Sequence, residues 1–314
     1  MPFAPKTQAF NAKINSVVLG TGDKAVQIGG NNVLPFYSFD APIENPPKIG
    51  VEITDGALEE YAQPKLKAFY EGCASVEEMA VRAQSIPGVS FLALHLKSAD
   101  PNGKNASVEA CVALAESVAA KLELPLVIMG CKDIEKDAEL FSKISEKLSG
   151  KNILVLSARE ENYKTVGASA ALAYGQKVGA ESAVDINLAK QLNTVMTQLG
   201  VSPASIVMQA GSAAAGYGFE YLASTLERIK LAALGQADAQ LQMPIMTPVS
   251  PETWGVKESV MPEAEMPEWG DAEERGVEME ITTAAACLAG GSDAIIMRHP
   301  DAIKTIARMI DELV

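Results

Sequence analysis

The chain has 314 residues, 48% of them apolar and 21% charged, and carries a formal net charge of −14. A length near and above ~250 residues suits one large α/β barrel, and the acidic balance excludes nucleic-acid and anionic-membrane surfaces, which need a Lys/Arg excess. With no apolar signal core, no run near the ~20 residues of a membrane helix and no CxxC spacing among Cys73, Cys111, Cys131 and Cys287, the chain reads as a cytoplasmic protein without a disulfide framework or a sequence-local metal site.

The first 47 residues differ from the rest. Two short β-type runs, 15–19 and 25–28, flank Gly20-Thr-Gly-Asp23, a turn that joins them as a hairpin. Gly29, Gly30, Asn31 and Asn32 turn the chain again, and Pro42, Pro46 and Pro47 interrupt any helix. This segment reads as a hairpin extension and extended lead-in laid against the remainder.

From residue 48 a repeat takes over. Short continuous apolar runs at 49–53, 91–96, 126–129, 153–156, 183–186, 206–209, 244–246 and 294–297 have the pattern of parallel strands covered on both faces. Helix-type stretches alternate with them. Ser75-Val-Glu-Glu78 is a capping box, Asn105 leads into a helix closed before Pro125, and Asp133 caps a stretch that Gly150 stops. Further helices are expected from Asn162 to Gly179, Asn187 to Gly200 and Tyr217 to Gly235, with a last one after Pro300. Eight such units close a (β/α)8 TIM barrel over 48–314; a smaller count would leave an open sheet.

One connection breaks the rhythm. Residues 247–276 carry four prolines, both tryptophans (Trp254 and Trp269) and many glutamates. Long loops in compact domains are functional or disordered, and tryptophan is scarce in disorder, so this one reads as a lid or docking surface at the C-terminal end of the seventh strand.

Strand ends nominate the working residues, because barrels build their sites on that rim. The candidates are His95 and Lys97 after the second strand, Asp133 after the third, Ser157 after the fourth, and Asp185 with Asn187 after the fifth. Gln209 and Ser212 follow the sixth, Met243 and Met246 belong to the seventh, and Arg298 to the eighth. No HExxH, GxSxG, P-loop or GxGxxG motif occurs, and only His95 and His299 offer imidazoles. Such a rim suits holding a large neutral ligand better than acid–base catalysis, although each of these residues can also serve only to cap a helix or fill a barrel.

The stretch Gly20-Thr-Gly-Asp-Lys-Ala-Val-Gln-Ile-Gly-Gly-Asn-Asn-Val-Leu-Pro-Phe-Tyr37, then Pro46-Pro-Lys-Ile-Gly-Val-Glu52, closely resembles the small subunit of the corrinoid/iron–sulfur protein, also described as the acetyl-CoA decarbonylase/synthase delta subunit. Gly216-Tyr-Gly-Phe-Glu-Tyr221 and residues 254–270 resemble the same family. The resemblance implies a TIM barrel paired with a large subunit, a cobamide shared between the two, and an iron–sulfur cluster in the partner only. It further implies a carrier of methyl groups, not a catalyst by itself. The methyl group would come from methyltetrahydrofolate through a methyltransferase and pass to acetyl-CoA synthase in the Wood–Ljungdahl pathway of anaerobes. The competing reading is a pterin-dependent methyltransferase barrel, for which Asp185-Ile-Asn187 is similar to the Asp-x-Asn elements that read a pterin ring.

Overall fold

The computed structural model describes residues 6–314. The chain opens with an antiparallel hairpin of β1 (Ser16–Leu19) and β2 (Val26–Gly29), in register from Ser16 opposite Gly29 to Leu19 opposite Val26. Gly29 holds φ +75°, and a Cβ there would stand 2.4 Å from the Asn15 carbonyl oxygen, so only glycine fits this end. One face of the hairpin carries Val17, Leu19 and Ile28, all fully buried.

Eight parallel strands follow: β3 (Lys48–Thr54), β4 (Val89–His95), β5 (Leu126–Met129), β6 (Leu154–Ala158), β7 (Lys177–Glu181), β8 (Ile206–Gln209), β9 (Met246–Pro248) and β10 (Ala294–Met297). They run in the order β8-β7-β6-β5-β4-β3-β10-β9. A parallel bridge between Met208 and Ile245 brings β8 to the start of β9 and closes the ring. The fold is therefore the (β/α)8 barrel expected from the alternation of strand and helix.

Eight principal helices cover the barrel: α1 (Val76–Ala83), α2 (Val108–Lys121), α3 (Ile134–Lys147), α4 (Tyr163–Val166, continued by wider turns over Gly167–Ala173), α5 (Ile186–Leu199), α6 (Phe219–Gly235), α7 (Ala272–Gly290) and α8 (Pro300–Leu313). Their starts are chemically marked. Ser75, Ser107, Asp133, Asp185 and Asp271 each accept a backbone N–H of the first turn.

The barrel interior holds Phe91, Val127, Leu154, Val207, Met246 and Ile296, and the hairpin's Val17, Leu19 and Ile28 belong to the same apolar cluster. Gly50 makes room there, since a Cβ would meet the Phe91 ring. The hairpin plugs the N-terminal end of the barrel. Asn152, just before β6, donates to the carbonyls of Val18 (2.9 Å) and Gly20 (2.8 Å).

Two strands lie elsewhere than the sequence suggests. The fifth is Lys177–Glu181, not 183–186. Ala183 and Val184 have φ of 46° and 63°, which takes them out of any strand, and Gly175 (φ 67°) ends the preceding helix early. The seventh is Met246–Pro248, two residues later than 244–246. The long connection after β9 is ordered by short helical turns at Ser250–Thr253, Lys257–Val260 and Pro267–Trp269. Among the described residues no helix is long and apolar enough to cross a membrane.

Candidate functional site

The C-terminal mouth is built in two tiers. The lower tier centres on Glu52, a carboxylate fully buried in β3. It accepts from Arg298 Nε (3.0 Å) and Nη2 (2.8 Å) and from His95 Nδ1 (2.7 Å). Burial alone would raise its pKa, but the Arg298 guanidinium and the His95 imidazole outweigh burial and hold the carboxyl well below the usual range. Glu52 in turn pushes the Arg298 pKa up against the effect of burial. Arg298 also lies 5.3 Å over the ring of Tyr61, whose hydroxyl donates to the Glu52 carbonyl (3.3 Å).

The upper tier faces the opening. The Ser157 hydroxyl lies between Glu181 Oε2 (3.1 Å) and the side-chain amide of Gln209. Arg159 pairs with Glu181 at 3.0 Å. Glu252, from the loop after β9, crosses the opening, and its Oε1 accepts from Lys132 Nζ (3.3 Å) and Ser212 Oγ (3.2 Å). These side chains leave a cavity of about 30 Å³, room for one water. Asp137 shapes this wall by accepting from the backbone N–H groups of Cys131 (2.8 Å) and Lys132 (2.9 Å), which fixes Lys132 at φ 71°. Burial pushes the Cys131 thiol up to about 12, so it is not a thiolate nucleophile.

The loop that carries Glu252 is anchored below. Trp254 is buried and stacked on His299 with ring centroids 6.0 Å apart. Gly276 lets it in, because a Cβ there would stand 2.3 Å from the indole. Glu280 of α7 is buried and accepts the backbone N–H groups of Arg298 (2.6 Å) and His299 (3.0 Å). Burial pushes its pKa up to about 7, against the pull of those two N–H groups. Glu273 takes His299 Nε2 (3.1 Å) and the backbone N–H groups of Lys65 (2.9 Å) and Leu66 (3.0 Å).

Of the sequence candidates, His95, Ser157, Gln209 and Ser212 line the one mouth cavity, and Arg298 lies beneath it. Lys97 stands outside, paired with Glu60 at 3.2 Å. Asp133 and Asp185 spend their carboxylates on helix caps, taking Lys136 N (2.8 Å) and Asn187 N (2.7 Å) respectively. Asn187 is exposed on the first turn of α5. Two candidates need correction in position: Met243 precedes β9 and Met246 opens it, so both lie buried toward the N-terminal end, away from the rim. The missed contributors are Glu52, Glu181, Glu252, Lys132 and Arg159. Glu52 had a usable signal, a lone carboxylate inside an otherwise apolar strand.

Fold and mouth together define a class: a (β/α)8 barrel whose catalytic-type rim is filled by its own paired side chains. Dihydropteroate synthases share the barrel. That of Vibrio fischeri superposes with a TM-score of 0.57 at 12% identity over 94% of this chain and 97% of the other. The Xanthomonas albilineans enzyme with 4-aminobenzoic acid matches as well, TM-score 0.57 at 12% identity, over 95% and 98%. The sequence speaks more narrowly. The family model described as CO dehydrogenase/acetyl-CoA synthase delta subunit matches residues 16–307. The delta subunit of the Archaeoglobus fulgidus acetyl-CoA decarbonylase/synthase complex is 31% identical over 99% of this chain and 71% of the relative. That of Methanocaldococcus jannaschii is 31% identical over 91% and 69%. The chain belongs to the CO dehydrogenase/acetyl-CoA synthase delta subunit family.

Proposed function

We propose that this chain is the small subunit of a corrinoid/iron–sulfur protein, a heterodimer that holds a cobamide between its two subunits and carries methyl groups from methyltetrahydrofolate, through a methyltransferase, to acetyl-CoA synthase in the Wood–Ljungdahl pathway. Its family relatives are named as subunits of the acetyl-CoA decarbonylase/synthase complex. The iron–sulfur cluster belongs to the large subunit in this reading.

The observation that carries the reading is the filled mouth. The mouth cavity itself, about 30 Å³, is far smaller than the roughly 300–1,000 Å³ usual for small-molecule sites. In this reading a corrin would be held by residues on the outside of the rim together with a partner. The rim fits such a group. Lys132 and Glu252 offer a donor and an acceptor to peripheral amides, and Tyr217 and Tyr221, around the start of α6, expose large aromatic surface. A cleft of about 680 Å³ continues the surface between the loop and α7, lined by Ala215, Trp269, Arg275 and Met279. When bound, the cobamide supplies the cobalt centre at which the methyl group is accepted and released. This chain's own residues orient the group and exclude water from one side. Both imidazoles are buried and engaged with carboxylates, His95 with Glu52 and His299 with Glu273.

The pterin-methyltransferase reading rested on Asp185-Ile-Asn187, and there the Asp185 carboxylate is taken by the backbone N–H groups of Asn187 and Leu188. Alanine at Lys132, Arg159, Ser212 and Glu252 in the assembled subunit pair, followed by absorption spectroscopy, tests the proposal. Reduced corrinoid content is expected for at least the Lys132 and Glu252 variants. Full content in all four would overturn the assignment of this rim.

A further inference from the structure

Glu280 is a buried acid that takes no part in lining the mouth. It lies inside α7 with no exposure, and its hydrogen-bond partners among the described residues are two neutral backbone N–H groups, those of Arg298 and His299. Trp254 keeps water from it. The indole enters the notch at Gly276, one helical turn before Glu280, and stacks on His299, whose N–H Glu280 accepts. Its Nε1 lies close to the Glu280 carboxyl, yet is buried without a hydrogen-bond partner. Ser250 Oγ, at the start of the turn Ser250–Thr253, is likewise buried and unpartnered. The inner polar groups of this turn are thus left unpaired, and stacking and apolar contact hold it down. The same turn carries Glu252, two residues before Trp254, across the mouth to Lys132 and Ser212.

Charged groups approach Glu280 from several elements, and none makes an ion pair with it among the described residues. The Arg298 guanidinium is committed to Glu52 of β3. His299, just before α8, is bonded to Glu273 of α7, with Lys65 and Asp301 nearby. In the loop Glu258 accepts from Tyr217, and Arg275 of α7 donates to the Met261 carbonyl. Lys230 of α6 is paired with Asp293. Burial therefore pushes the Glu280 pKa up to about 7, against the pull of the two N–H groups, of Arg298 and of the indole.

We propose that Glu280 is a proton-operated latch on the loop after β9: the protonated acid keeps Trp254 seated and Glu252 across the mouth, and the ionised acid favours unseating, which brings water to the carboxylate. The latch rests on the fold and not on the function proposed above. A hydrated Glu280 binds its proton with the ordinary affinity near 4.5, and the seated one near 7. Unseating therefore becomes more favourable as pH rises through that window and levels off above about 7. His299 acts in the opposite sense, because burial lowers its pKa from 6.5 and unseating gains as pH falls below that value.

Amide hydrogen exchange of the full chain at pH 6 and pH 8, corrected for the intrinsic rate, tests the latch. The ratio of opening at pH 8 to opening at pH 6 over residues 250–254 is expected to be about ten-fold larger in the wild type than in Glu280→Gln, where His299 alone titrates. Equal ratios would overturn the proposal. Trp254→Ala leaves nothing to unseat, and its ratio is expected to match that of Glu280→Gln; the full wild-type ratio in that variant would break the link between acid and indole. If Glu280→Gln does not fold, the wild type decides by itself. Its loop is expected to lose protection from pH 6 to pH 8 relative to β4 and β6, and a loop that keeps pace with those strands would contradict the latch.

Discussion

Glu52 is a charge that the fold can neither hydrate nor neutralise cheaply. It sits in the apolar wall of β3, and its ionised state depends on Arg298 and His95. Removing one partner of such a pair leaves a bare buried charge, which typically costs about 3–5 kcal/mol. Arg298→Ala is therefore expected to lower stability by about that amount in urea unfolding, and the double variant Glu52→Gln/Arg298→Met is expected to regain most of it. Glu280 sets an opposite pH dependence. Its pKa is raised from 4.5 to about 7 on folding, so the folded state holds the proton more tightly. Its favourable contribution is complete below the unfolded value and is lost as pH rises through about 7, on the order of 3 kcal/mol. Glu52, with a lowered pKa, contributes above its unfolded value and loses that contribution only as pH falls far into acid. Urea midpoints should fall between about pH 5.5 and pH 8.5, and Glu280→Gln should flatten that slope. An unchanged slope would remove Glu280 as the cause. At this scale the strand-end rule named His95, Ser157, Gln209 and Ser212, which line the mouth cavity, and Arg298, which pairs with Glu52. It could not choose among neighbouring polar residues, because Lys132 is aimed by a left-handed backbone that Asp137 holds from five residues away.

Elements carry the next level of the argument. The hairpin does the work of a barrel floor, and Ile28 is its fully buried centre. Ile28→Ala leaves a cavity in the barrel's inner apolar cluster and is expected to cost about 2–5 kcal/mol in chemical denaturation. A loss below ~1 kcal/mol would mean that the hairpin is not part of the core. The loop after β9 is held chiefly through Trp254. Trp254→Ala should raise amide hydrogen exchange over residues 249–271 and at the Glu273 end of α7, with the strands unchanged. Protection unchanged in that loop would refute the anchoring role. Most strands were legible as continuous apolar runs. β7 was not, because Lys177–Glu181 has polar ends, and its centre is Gly179, where Leu156 approaches too closely for a side chain. The more apolar 183–186 competed with it and lost to positive φ.

At the scale of the whole molecule, barrel closure and family were both open to sequence reading, the first through alternation and the second through a long N-terminal motif. The filled mouth was not. It depends on Glu52, Glu181 and Glu252 arriving from three distant parts of the chain, which no local spacing records. A barrel that fills its own mouth and exposes a mixed polar and aromatic rim is suited to share a ligand with a second protein. The absorption spectrum and cobalt content of the purified subunit pair, beside each subunit alone, test that claim most directly. One cobamide per pair is expected, lost in parallel with alanine substitution of Lys132 and Glu252. A pair that retains full cobamide after those substitutions, or this chain alone methylating free cobalamin from methyltetrahydrofolate, would contradict the account.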